Sequence, residues 1–309
     1  WMDSSVSNLW VTGYRRDERF FAANYPTHLR PQGREIVRTW LYYTTLKNWL
    51  VLRSKPFRHV VIHGLGLAAD GRAMHRTLGN YVPAEPLVRK YGADAVRFFG
   101  ASETGPGDDF RINEQKIGGA QKFLSKLWNV ARFISSFEEP PAGKLHPADE
   151  WILAELNDVV AVARGAYEDM NLFVAANRVR EFVWNVFAPH YVEMAKARAY
   201  QGDTGALWTL HAVLRDVLRL LAPITPFATD RIWREMYGDS VHAELLPQPR
   251  DVNESMRELT ARVVEFNSLV WKEKKERKLS LRDPVPGLAV PPELHLLDAD
   301  LRRMHNLIA

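Results

Sequence analysis

Apolar residues return along this chain at two different spacings, and the change from one to the other divides it. Up to about residue 137 the pattern is mixed. The short run Val60-Val61-Ile62 reads as a buried strand, while Ile36, Val37, Trp40, Leu41 and Thr44 fall at the three- and four-residue steps of a helix. Glu85 to Tyr91 and Asp94 to Phe99 read as short helices broken at Gly92, and an amphipathic pattern runs from Asn113 to Phe137. Strand, glycine junction, helix, strand, loop and helix is the succession expected of part of a parallel sheet. Beyond the acidic, proline-rich stretch Glu138-Glu139-Pro140-Pro141-Ala142-Gly143 the strand signals stop. Helical stripes follow at Glu150 to Tyr167, Leu172 to Ala199, Leu207 to Leu221 and Phe227 to Tyr237, then Ser255 to Leu279 and Glu293 to Ile308. Stripes of this kind bury one another most economically as an antiparallel bundle. The chain therefore reads as α/β followed by all-α, with expected domains at 1–137, 138–250 and 251–309.

Composition narrows the chemistry. The 309 residues, 46% of them hydrophobic, suffice for more than one packed core. A balance of 41 basic and 37 acidic residues leaves +4, and the pI is about 9.2, which permits a nucleic-acid partner without demanding one. With no cysteine, disulfides, thiolate zinc sites and cysteine nucleophiles are excluded. No stretch of 18 apolar residues suggests a membrane span, so a cytoplasmic protein is the expectation.

Candidate chemistry concentrates in the loop Asp70-Gly71-Arg72-Ala73-Met74-His75-Arg76-Thr77-Leu78-Gly79-Asn80, set between the apolar run and a helix. Loops at that position carry the ligand chemistry of parallel-sheet nucleotide folds. Upstream, Gly33 opens a helical pattern, where a glycine lets a ligand approach the backbone and a helix N-terminus favours an anion. In the last third, Trp271-Lys272-Glu273-Lys274-Lys275-Glu276-Arg277-Lys278 is either a solvated helix end or a phosphate-contacting edge.

The loop resembles the second signature of class I aminoacyl-tRNA synthetases, Lys-Met-Ser-Lys-Ser followed by Gly-Asn. Its five positions are here Ala73, Met74, His75, Arg76 and Thr77, so the first lysine is absent and arginine replaces the second. Collinear segments extend the likeness over nearly the whole chain: Trp1 to Ser5, Leu29 to Trp40, His63 to Asn80, Tyr91 to Phe99, Lys122 to Phe133 and Asp149 to Tyr200. Together with Glu265 to Pro284 they look like the archaeal form of the valyl-tRNA synthetases. The resemblance implies the second half of a Rossmann-like catalytic domain with a stem-contact region, then a helical anticodon-binding domain. It implies a signature-loop role for Met74, Arg76 and Thr77, and ATP or adenylate contacts at Gly33, Glu35, His63, Gly64, Gly79 and Asn80. Trp1 and Ile36 match positions that shape the valine pocket. The tRNA contacts it implies are Lys116, Lys122, Lys126, Arg178, Arg180, Lys196 and Arg198. The implied cofactor is ATP with Mg2+, with nothing tightly bound and no zinc, and the implied partner is tRNA(Val).

Two departures qualify the expectation. Arginine keeps the charge of the second signature lysine but brings a planar fork to a site suited to a compact ammonium. The first signature, His-Ile-Gly-His, has no counterpart in these residues, and the editing insertion would lie upstream of Trp1. The chain is thus expected to supply the signature loop and anticodon-binding part of a valine-tRNA ligase and to be inactive by itself, with a separate N-terminal half or another protein covering an exposed sheet edge. The alternative is a catalytically inactive stand-alone paralogue serving as a tRNA-binding or protein-binding module.

Overall fold

The fold, seen in a computed structural model that describes residues 1–308, divides into two compact units. The first comprises residues 1–84 and 103–114, the second 85–102 and 115–309. The chemistry of the mixed pattern sits in the first unit and the continuous helical stripes in the second. The order is that of a mixed α/β unit followed by a helical one, as the spacing of apolar residues predicts.

In the first unit, helices α1 (Ser7–Val11) and α2 (Glu18–Asn24) precede strand β1 (Thr27–Gly33). Asp17 starts α2 by accepting from the Phe20 amide at 2.9 Å, which satisfies one of the donors a helix N-terminus leaves open. A continuous helical run follows β1: a tight turn at Arg34–Ile36, a wide turn at Val37–Leu41, then α3 (Tyr42–Leu52). Strand β2 (Phe57–His63) returns parallel to β1, in register from Thr27 beside Phe57 to Gly33 beside His63. Two short strands, β3 (Gly66–Leu67) and β4 (Phe110–Arg111), also pair in parallel. A buried reciprocal amide pair, Asn8 with Asn48 at 2.9 and 3.2 Å, ties α1 to α3. The opening residues form a helical turn at Ser4–Val6, held by the Trp40 indole donating to Ser4 O at 3.1 Å.

The β1–β2 pair departs from the expected buried strand. Leu29, Val60 and Ile62 are 41, 39 and 42% exposed, and Trp49 and Leu50 on α3 are more open still. A pair of strands covered by one helical crossover has too little neighbouring structure to bury both faces, so its apolar positions remain in water. Pro31 sits within β1, a residue tolerated only where a strand edge gives up a ladder bond.

The second unit is helical through its core. It contains α4 (Ala84–Tyr91), α5 (Ala93–Ser102), α6 (Glu114–Ile134) and α7 (Pro147–Glu168). The run 172–200 is one continuous helix in three parts, α8 (Leu172–Glu181), a wide segment at Phe182–Tyr191, and α9 (Val192–Tyr200). Pro189 lies inside the wide segment, as expected of a residue that removes a helical donor and forces the ladder to reorganise. Then come α10 (Thr204–Leu221) and α11 (Pro226–Met236), with Pro226 in the first turn of α11, where its missing donor costs nothing. After the turn Glu254–Leu259, α12 (Thr260–Glu276), α13 (Asp298–His305) and the small pair β5 (Val285–Pro286) with β6 (Leu307–Ile308) complete the unit. Trp151, Tyr191, Phe98, Phe123, Phe182 and Phe187 are its largest fully buried rings.

One buried polar cluster makes this unit sensitive to acid. Asn267 on α12 bridges two histidines, with its amide nitrogen 2.8 Å from His190 Nδ1 and its oxygen 2.7 Å from His305 Nε2. Both imidazoles are nearly inaccessible, and burial lowers each pKa to about 4. Both therefore stay neutral in the folded protein while their unfolded counterparts take up protons below about pH 6.5. The unfolded state binds more protons between pH 6.5 and 4, so stability falls as pH falls through that window and levels off below it, with a cost of order 2–3 kcal/mol per histidine. Thermal melts should show that decline, and His190→Gln with His305→Gln should flatten it.

Candidate functional site

The parallel register places Gly33 beside His63 at the carboxyl ends of β1 and β2, the position at which sheets of this kind bind ligands. Gly33 immediately precedes the tight turn, and a Cβ there would lie 2.5 Å from Glu35 Oε1, so the Glu35 carboxylate is folded back over its α-carbon. Gly64 has a different reason to be glycine: a Cβ would overlap the Asp108 carbonyl, so it permits the strand end to pack on the 108–109 backbone. Asp109 anchors that approach, accepting from the Leu65 amide at 2.7 Å and pairing with Arg34 at 2.6 Å. His63 Nδ1 donates to Gly64 O at 2.9 Å. The turn carrying Trp1 rests on the helical run beyond Gly33, where Ile36 is half-buried and Trp1 exposed.

The loop that follows is folded on itself by its own polar groups. Leu67 pairs antiparallel with Ala73, the Ala68 amide donates to Arg72 O at 2.9 Å, and Gly71 turns the chain at φ 84°. Asp70 accepts from both the Arg72 amide (3.0 Å) and its guanidinium (2.7 Å), which hold its carboxyl below the usual range. Asn80 is the clasp: its oxygen accepts from the His75 amide at 2.9 Å while its nitrogen donates to Ala73 O at 3.1 Å. Met74 Sδ accepts from the Val82 amide at 3.4 Å, and its methyl group lies over Gly66. Arg76 and Thr77 occupy the exposed tight turn that ends at Gly79, φ 65°. The Arg76 guanidinium stands 5.6 Å from the Tyr81 ring centre with no carboxylate within 4 Å among the described residues, so its charge is available to a phosphate. The structure thus gathers Gly33, Glu35, His63 and Gly64 at one end of the sheet, with Met74, Arg76, Thr77, Gly79 and Asn80 in the adjoining loop.

The basic residues expected to meet RNA divide by their surroundings in the helical unit. Lys116, Lys122 and Arg180 are exposed; Arg180 donates to Asn177 Oδ1 at 2.6 Å. Lys126 lies 4.3 Å from the Trp184 ring centre and donates to Trp184 O, and burial lowers its pKa. Arg178 is paired with Asp158 at 2.7 Å, and Lys196 with Glu193 at 2.5 Å. Arg198 is a correction. Its side chain is 3% exposed and donates to Asp149 at 2.7 and 2.9 Å and to Asp300 at 3.1 Å, so it holds helices together and cannot reach an RNA phosphate. Of the aromatics near these cations, Phe187 is core, whereas Trp184 lies at the surface. Tyr200, at a helix end before Gln201-Gly202, is 72% exposed and packs edge-on against Phe133 and Phe137.

Asn80→Ala should remove both clasp bonds and speed amide exchange through residues 73–82, while leaving the helical unit unchanged. Arg198→Met should destabilise by about 3–5 kcal/mol in denaturant melts, because it strands buried Asp149 and Asp300.

Two family descriptions match in chain order: "tRNA synthetases class I (I, L, M and V)" over residues 1–113 and "Anticodon-binding domain of tRNA ligase" over residues 149–289. A valine–tRNA ligase of Pyrobaculum aerophilum is 41% identical over 319 aligned residues, covering 99% of this chain and 40% of the relative. One from Nanoarchaeum equitans is 38% identical, covering 99% of this chain and 41% of its own length. The chain therefore spans about 40% of the length of these relatives. Among solved structures, a LeuRS-tRNA-LeuAMS ternary complex from Agrobacterium radiobacter superposes with a TM-score of 0.65 at 19% identity, covering 82% of this chain and 33% of that one. Mycobacterium tuberculosis methionyl-tRNA synthetase with methionyl-adenylate gives 0.62 at 22% identity, over 74% of this chain and 48% of its own. At those identities the likeness is one of fold.

Proposed function

We propose a function from one premise: this chain belongs to the valine–tRNA ligase family of the class I tRNA synthetases. It supplies the signature loop and the anticodon-arm-binding part of a valine–tRNA ligase, whose reaction joins valine to tRNA(Val) at the expense of ATP. The observation that carries this reading is the collinear likeness over 99% of the chain, with the two matched families one after the other along it. The loop geometry supports it. An unpaired arginine on a self-folded, glycine-ended turn beside the strand ends is placed to neutralise charge on departing phosphates.

In this reading ATP takes the strand ends, with Gly33, His63 and Gly64 at the nucleoside and Arg76 at the phosphates. The Gly33 cradle suits a ligand because what covers it is the Glu35 side chain, which can rotate away. No group of three or more His, Asp or Glu placed to hold a metal occurs among the described residues, so Mg2+ would accompany the ATP phosphates. Trp1 and Ile36 border the valine side chain. Polypeptide carrying the first half of the catalytic sheet covers the open β1–β2 faces, which accounts for the exposure of Leu29, Val60 and Ile62. The helical unit meets tRNA(Val) through Lys122 and Arg180 together with Lys116.

The test is valine-dependent exchange between ATP and pyrophosphate. The 309-residue chain alone should give none above background, and adding the first half of a valine–tRNA ligase catalytic domain in trans should restore it. With the assembled pair, Arg76→Ala should lower the rate by about 100-fold or more. Exchange that remains absent from the assembled pair would refute the reading.

A further inference from the structure

The last long helix of the bundle ends in a turn with an ammonium sealed beneath it. α12 stops at Glu276, Lys278 takes the left-handed conformation at φ 57°, and the chain folds back through Ser280–Asp283. The turn is closed by the Asp283 amide donating to Ser280 O at 3.0 Å and by the Ser280 amide donating to Asp283 Oδ2 at 2.6 Å. Lys274, still on the helix, is only 1% exposed, and its Nζ donates to Leu281 O at 2.6 Å and Asp283 O at 2.9 Å. No carboxylate oxygen lies within 4 Å of that nitrogen among the described residues, so its charge is met by carbonyl dipoles alone. Burial pulls its pKa below the ordinary lysine value, with the Asp283 charge acting in the opposite sense.

Lys275, Lys278 and Arg282 are all exposed and none is in an ion pair among the described residues, and Leu281 between the last two is 66% exposed. The neighbouring acids are occupied: Glu273 pairs with Arg277 at 2.7 Å, Glu276 lies 3.9 Å from Lys272, and Asp283 is turned onto the Ser280 amide. The last helical carbonyls, which would offset the cations, are partly capped, because Glu273, Lys274 and Lys275 each accept a main-chain amide from Arg277, Leu279 and Lys278 respectively. The result is a surplus of positive charge on a surface held in shape from below.

We propose that this turn is a phosphate-binding site for RNA, with Lys278 and Arg282 as the contacting groups and Lys274 as the buried pin that sets the turn and adds charge beneath it. The proposal rests on the tRNA-binding reading above and assigns part of that contact to a segment inside the matched anticodon-binding region. RNA suits the surface better than an acidic protein does. Exposed cations without ion pairs offer phosphate contacts, whereas a protein interface needs a desolvated apolar centre from which charge is depleted.

The test is filter binding of a tRNA transcript to the full chain across a salt series. Lys278→Gln with Arg282→Gln should weaken binding at low salt by about tenfold or more and reduce the slope of log affinity against log salt by about 1.5–2. The charge-matched control Arg19→Gln with Lys55→Gln should leave both unchanged, and Lys278→Arg with Arg282→Lys should retain affinity. Lys274→Met should weaken binding while circular dichroism shows full helix content. If the wild-type chain binds and the double Gln variant binds with the same slope, this site is overturned while the tRNA reading stands, and a protein-facing turn would give that result. If the wild-type chain fails to bind tRNA even at low salt, both readings fall.

Discussion

The helical unit depends on one buried cation shared among several helix ends. Arg198 on α9 donates to Asp149 in the first turn of α7, to Asp300 in the first turn of α13, and at 3.4 Å to Asp203, which caps α10. Tyr191 adds a 2.6 Å bond to the same Asp149, and the Asp149 carboxylate also accepts from the His146 amide, closing the start of α7. Burial raises the pKa of Asp300 and of Tyr191; it pulls that of Arg198 down, but the surrounding carboxylates outweigh it and raise the pKa above the ordinary value. Such a group contributes little net stability against a well-packed apolar replacement, but each acid is costly to leave alone. Only one arrangement of the four helices satisfies every member at once, so the network selects the packing more than it strengthens it.

The first unit is organised by the opposite condition, a shortage of internal cover. Its polar contacts are local and short in span: Asp70 with Arg72, Asn80 with His75 and Ala73, Asp109 with Leu65 and Arg34. These shape a loop and a strand end without burying an apolar core around them, and Leu29, Val60 and Ile62 remain in water. Such contacts fix the backbone of the loop and the strand end while leaving the apolar faces beside them open. The Glu35 carboxylate lying on Gly33 fits that state, since an open cradle is filled by the nearest flexible side chain.

Much of this was legible from spacing. The stripes at 150–167, 172–199, 207–221 and 227–237 correspond to helices at 147–168, 172–200, 204–221 and 226–236, because three- and four-residue apolar steps survive any detail of packing. The loop from Asp70 to Asn80 was legible through its glycines and its Met-basic core. The exposure of β2 was not, since an apolar run reports what a strand would bury and is silent on whether anything covers it. Arg198 was misread for a related reason: beside Lys196 it resembles a solvated basic face, while its acidic partners lie 49 and 102 positions away in sequence. Lys274 was hidden inside a charge run, where sequence cannot tell the one inward-facing lysine from its neighbours.

The amide of Asn267 has a polarity, and that polarity decides the chemistry around it. Its nitrogen must donate to His190 Nδ1, which leaves the His190 proton on Nε2, consistent with a bond from that ring to Asn185 O; its oxygen must accept the Nε2 proton of His305. Each imidazole is thus confined to one tautomer by a side chain that cannot turn over without breaking both bonds. A carboxylate in the same place could accept from both rings and would favour their charged forms, so the exchange of one nitrogen for one oxygen would reverse the sense in which the two rings respond to pH. The conformity of that helix junction to neutral conditions is therefore written in a single atom.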